Sequence, residues 1–94
     1  HAGRYETSLV LALAPELVDA ASASGLPDLE TSLSEGIRRG VASFRELGLD
    51  RAYTGRPRLA SSAEGAELVE RLAQMVVTEV EEALAALAAD PTPP

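Results

Sequence analysis

Residues 61–89 constrain the fold more than any other stretch. Leu68, Leu72, Met75, Val76, Val80, Ala83, Leu84 and Leu87 recur at three- and four-residue steps. That spacing gathers side chains on one face of an α-helix and predicts that this face is buried. Glu67, Glu70, Arg71, Gln74, Thr78, Glu81 and Glu82 fall on the other face. Ser61 and Glu64 stand in the Ser-x-x-Glu order of a capping box. In that arrangement the hydroxyl accepts from the amide three residues on, and the carboxylate reaches back to the cap amide. Glu67 and Arg71 are one turn apart, an exposed pair worth about 0.3 kcal/mol. Asp90 and Pro91 are expected to end the helix and leave a frayed tail over residues 90–94. A helix with such a stripe needs cover, and a chain of 94 residues builds only a modest core.

A second helix is expected over residues 5–14. Leu9, Val10, Leu11 and Leu13 form a nearly continuous apolar run there, and a helix apolar on most of its surface is buried on most sides. Pro15 disfavours a helical residue before it, so a break falls near Ala14; Pro15 can also open a short second turn with Glu16. Residues 20–27 are small and polar and read as a loop. Over residues 28–40, Ser32 and Glu35 have capping-box spacing, and Leu29, Leu33 and Ile37 fall four apart. A short helix is the expectation there, weakened by Gly36 and Gly40. Residues 41–47 are read as a short strand. Gly48, Gly55 and Pro57 mark residues 48–60 as an irregular loop.

Composition narrows the function classes. The formal net charge is −7, with eight Arg and no Lys. Nucleic-acid binders carry a basic stripe, and this chain has none, so no nucleic-acid partner is expected. No apolar run approaches a membrane span, so no membrane partner is expected either. The absence of cysteine removes disulfides and thiolate metal sites and fits a reducing, cytoplasmic setting.

The chemistry concentrates at residues 1–8, His-Ala-Gly-Arg-Tyr-Glu-Thr-Ser. This stretch holds the single histidine, a small flexible turn and a carboxylate in the first turn of the helix. Small residues at Ala2 and Gly3 let backbone or a ligand approach closely. Glu6 is favoured at that position by the helix dipole. If the helix is buried, Glu6 needs donors, a cation or a metal. The plain alternatives are an exposed histidine and a capping glutamate.

The run His1-Ala2-Gly3, then Glu6-Thr7-Ser8, an apolar stretch and Pro15-Glu16-Leu17-Val18, resembles the creatininase family of metal-dependent amidohydrolases. Tyr53-Thr54-Gly55-Arg56-Pro57 with Ala60-Ser61 and Glu64-Gly65 resembles a second element of that family, before its last helix. The family includes creatinine amidohydrolase and the peptidase of mycofactocin maturation, and the Ala- and Arg-rich usage points weakly to the latter.

The resemblance implies an α/β fold, with this chain as the mostly helical C-terminal part of a three-layer α/β/α sandwich. It implies a two-metal centre of zinc, manganese or iron. His1 would be a catalytic proton donor or polarising group, Glu6 a carboxylate at the metal, and Ala2 with Gly3 a substrate-binding turn. The family's Glu-x-His-Gly and Asn-Gly-His-Gly-Asn motifs are absent here. The N-terminal portion of the enzyme, as a separate or cleaved chain, is therefore expected to carry most of the ligands. A homo-oligomer acting on a small amide or peptide substrate is also implied. The competing expectation is a non-enzymatic helical module that dimerises through residues 61–89.

Overall fold

A computed structural model describes residues 1–89 of the chain. The elements are α1 (Arg4–Leu13), α2 (Ala20–Ser24), α3 (Leu33–Arg38) and α4 (Ser62–Ala89). Two single 3-10 turns, Pro15–Leu17 and Pro57–Leu59, complete the order. Among the described residues there is no strand, only an isolated antiparallel bridge between Leu29 and Gly55. The chain is mostly helical, as expected, and the described residues by themselves contain no sheet layer of a sandwich. The expected helix end at Asp90 and the tail after it lie outside the described residues.

Most element starts follow from local side-chain chemistry. Glu64 N–H donates to the Ser61 hydroxyl at 3.1 Å, the first arm of the expected capping box. The return arm is not made. Glu64 instead accepts from Arg4 Nε at 2.8 Å, and Ser61 N–H donates to the Ser8 hydroxyl at 3.1 Å. Both groups are thus spent on joining α4 to α1. Ser32 caps α3 by accepting from Glu35 N–H at 3.2 Å. Pro15 opens a 3-10 turn, as its position allows.

Two readings of the sequence are corrected. Residues 20–24 form helix α2 within the expected loop, because Asp19 accepts from both Ser22 N–H (3.0 Å) and Ser22 Oγ (2.8 Å) and so nucleates a turn. Residues 41–47 form no strand: 41–43 are irregular and 44–48 form turns. There, Glu46 N–H donates to Ser43 Oγ and Ala42 N–H to the Glu46 carboxylate, and Gly48 at φ 77 closes the turn. Local side-chain acceptors win over extended backbone at this point.

α1 packs against α4 and meets both 3-10 turns. The two helices touch where Gly65 of α4 faces Ser8 and Ala12 of α1. A methyl group at Gly65 would overlap the Ser8 carbonyl and lie 2.9 Å from Ala12 Cβ. Ser8 is fully buried, and Leu49 and Tyr53 are the buried large apolar residues.

The expected burial of both helices is not met within this chain. Leu13 of α1 is 70% exposed, and every residue of α4 from Glu70 onward is exposed, Leu87 at 72%. α4 is about 42 Å long at 1.5 Å per residue, longer than anything beside it. The chain is accordingly elongated, 58 × 36 × 18 Å with a radius of gyration of 18.8 Å, against about 12 Å for a compact chain of this length. Among the described residues no helix is long and apolar enough to cross a membrane.

A strap of residues 27–31 crosses residues 53–58. Leu29 and Gly55 exchange backbone hydrogen bonds of 2.9 and 2.7 Å. Tyr53 Oη donates to the Pro27 carbonyl at 2.7 Å. Arg58 makes a two-pronged contact to Asp28 at 2.8 and 3.0 Å, and Arg56 Nε lies 3.6 Å from the same carboxylate. The Arg58 hydrogen bond, helped by the charges of Arg58 and Arg56, holds the Asp28 carboxyl below the usual carboxylate range. A group whose folded-state pKa is depressed adds stability above its unfolded pKa and loses it as pH falls through the folded value. Acidification below about pH 4 is therefore expected to lower the protection of the Leu29 amide, its exchange rate taken relative to an unprotected amide at the same pH. Asp28→Asn should lower that protection already at neutral pH and flatten its acid dependence. Leu29 protection in the variant that tracks the parent across the acid range would refute the strap.

Candidate active site

The segment of residues 1–3 rests directly on residues 54–55. Thr54 N–H donates to the His1 carbonyl at 2.9 Å. A Cβ on Gly3 would stand 2.8 Å from the Thr54 carbonyl oxygen, closer than real side chains come. Gly3 is thus required for the approach, as its small size suggested. Gly55, at φ 95, faces it with its own Cβ position 3.5 Å from Gly3 Cα. Ala2 is held at φ 48, a left-handed conformation costly for a residue with a Cβ.

Glu6 stabilises this turn. Its Oε2 accepts from Ala2 N–H at 3.1 Å, and Thr7 Oγ1 donates to the Ala2 carbonyl at 3.3 Å. Thr7 N–H donates to the Gly3 carbonyl at 3.1 Å, which starts α1. The first-turn carboxylate therefore does serve the helix start, reaching back to the amide two residues before Arg4. It is not buried: the Glu6 side chain is 53% exposed and the His1 side chain 44%. The structure does bring the two together, with His1 Nδ1 3.8 Å from Glu6 Oε2. That approach becomes an ion pair when the imidazole is protonated. The imidazole stacks on Phe44, with ring centres 5.1 Å apart and planes at 20°.

His1, Gly3 and Glu6 line an open cleft of about 360 Å³ with Arg4, Tyr5, Leu29, Glu30, Thr31, Thr54 and Gly55. Glu6 and Ala2 also border a second, more apolar cleft of about 420 Å³ beside α2 and Tyr53. An imidazole and a carboxylate at the mouth of a cleft can exchange a proton with a bound molecule. As metal donors they are few. Among the described residues, no group of three or more His, Cys, Asp and Glu side chains could hold a metal ion. The donors fit one corner of a metal centre and not a whole one.

Sequence reasoning missed Phe44 and Thr54 as neighbours of His1. Phe44 is one of three aromatics in the chain, but nothing local links it to a residue 43 positions earlier. Thr54 stands in the second family-like element, and only the fold puts its amide on the His1 carbonyl.

Such a site, a paired imidazole and carboxylate at an open cleft, is of the kind hydrolases use. The family model described as creatininase, creatinine amidohydrolase, matches residues 1–80. The chain belongs to the creatininase family, which at the family level makes it an amidohydrolase-type hydrolase. No curated protein and no solved structure gave a match.

Proposed function

We propose that this chain is the substrate-facing part of a metal-dependent amidohydrolase acting on a non-standard amide or peptide bond. The observation that carries the reading is the juxtaposition of His1 and Glu6, 3.8 Å apart at one cleft and held by residues 54–55. Metal ions, when bound, supply an activated water and polarise the amide carbonyl. Glu6 would contribute a carboxylate to that centre, and the remaining donors would come from outside these 94 residues. His1 faces the substrate, where its imidazole gives a proton to the leaving nitrogen. Ala2 and Gly3 leave room for the substrate beside the backbone. Peptide cleavage of the mycofactocin-maturation type is the finer form of the proposal. The enzyme would work as a homo-oligomer in the cytoplasm.

The test is metal analysis and amide hydrolysis on the intact enzyme, with creatinine and short peptide amides as substrates. Glu6→Gln is expected to lower metal content or activity by well over about tenfold, as expected for loss of a ligand. Wild-type metal content and activity in that variant would leave Glu6 as a helix-start residue only.

A second reading has one observation in its favour. Met75, Val76, Val80, Leu84 and Leu87 form an apolar stripe on α4, each at least half exposed. A metal-free chain that sediments as a homodimer through this face would replace the hydrolase reading with a helical interaction module.

A further inference from the structure

We infer that Thr54 is a positioning residue of this site, one that fixes the His1 imidazole through the backbone; the inference rests on the reading of His1 given above. Among the described residues Thr54 is one of two buried polar residues, 8% exposed. It sits at the meeting point of three chain segments. Its N–H holds the His1 carbonyl at 2.9 Å. Its hydroxyl lies 2.8 Å from the Thr31 carbonyl and 3.2 Å from the Leu29 carbonyl. Its own carbonyl oxygen forms the floor against which Gly3 packs.

The two carbonyls reached by the hydroxyl belong to Leu29 and Thr31, which line the same cleft as His1 and Glu6. One side chain thus ties two cleft-lining residues to residue 54, while its backbone holds the main chain that carries the imidazole. A hydroxyl has a single proton, so the two carbonyls share it. Removing it leaves both carbonyls without this donor and loosens the strap at Thr31, while the Leu29–Gly55 backbone pair still ties it at residue 29. Valine matches threonine in shape but has no donor, and serine restores the donor without the methyl. The pair separates hydrogen bonding from packing.

The second observation is indirect support from strain. Ala2, next to His1, is held at φ 48. A residue keeps such a conformation only where its surroundings over-determine it. Three of the contacts that do so are the Glu6 carboxylate, the Thr7 hydroxyl and, one residue back, Thr54 N–H.

The experiment uses the intact enzyme in four forms: parent, Thr54→Val, Thr54→Ser and His1→Ala. Two readouts are taken well below the melting temperature of each. One is steady-state hydrolysis of creatinine and of short peptide amides. The other is the NMR signal of the His1 imidazole Cε1–H, assigned by its loss in His1→Ala. Thr54→Val is expected to lower kcat at least about tenfold with KM changed less than about threefold, the pattern of a contact that matters in the transition state. Its imidazole signal should shift or broaden. Thr54→Ser should return both towards the parent.

An unmoved imidazole signal and parental kcat in Thr54→Val would overturn the inference, even if His1→Ala is inactive. Equal damage in Thr54→Val and Thr54→Ser would also overturn it, since packing alone would then be at work. If His1→Ala keeps full activity, the proposed function of His1 fails instead. The imidazole signal then still decides whether Thr54 holds it.

Discussion

Gly65→Ala is expected to cost about 3 kcal/mol of stability or more, the upper end for forcing an extra methyl into a filled site. The direction is what makes the prediction sharp. Glycine inside a helix is normally a weakness, and alanine in its place normally adds about 0.4–1 kcal/mol. Here the added methyl would overlap the Ser8 carbonyl, and Ala12 Cβ would stand 2.9 Å away. The first obstacle is backbone, which cannot swing aside as a side chain can. The helices must separate, and separation breaks the Ser61 N–H bond to Ser8 and the Arg4–Glu64 pair as well.

The joint between α1 and α4 is a large part of what holds this chain together, so its loss has little to compensate it. The midpoint of thermal unfolding, followed by helical circular dichroism, should fall by about 12 °C or more. Ala66→Gln, one residue along and exposed, is the control and should move it by less than about 3 °C. A Gly65→Ala variant that melts with the parent, or above it, would mean that α1 and α4 do not cross at this point.

What could be read from the sequence was local. Ser61, Ser32 and Pro15 each act within three residues of themselves, and each marks the start of its element. Asp19 acts in the same way and was legible in principle; Ala20, Ala21 and Ala23 beside it favour helix, but the small residues around them read as loop. The expected strand at 41–47 fell to Ser43 and Glu46, whose side chains capture nearby amides.

Burial was the harder property. The spacing of Leu72, Met75, Val76 and Val80 identifies a helix and one apolar face, but not whether anything covers that face. Periodicity is a property of one element and cover is a property of two. The same division holds at the site. His1 and Glu6 are one helical turn and a short bend apart, so their proximity follows from the segment they share. Phe44 and Thr54 reach the site through the path of the chain between them and residue 1.

His1→Ala is expected to lower kcat by about 10²–10⁴, the usual contribution of a positioned general acid, while metal content stays at the parental level. An amide resists hydrolysis because its nitrogen leaves poorly as an anion. A protonated imidazole beside it supplies the proton that lets the C–N bond break. The His1 ring is suited to this by its setting. It is 44% exposed and so open to the cleft, it is stacked on Phe44, and Glu6 Oε2 lies 3.8 Å from Nδ1 on one side. A protonated ring can pair with that carboxylate while it donates from its other nitrogen.

The metal result decides the role. If metal content falls together with kcat, the imidazole is a ligand and not a proton donor. If kcat falls less than about threefold, the leaving nitrogen takes its proton elsewhere and His1 is an exposed residue beside a helix start. A loss of kcat with metal retained and KM little changed places the imidazole at the reacting bond, since only a contact stronger in the transition state than in the bound substrate has that effect.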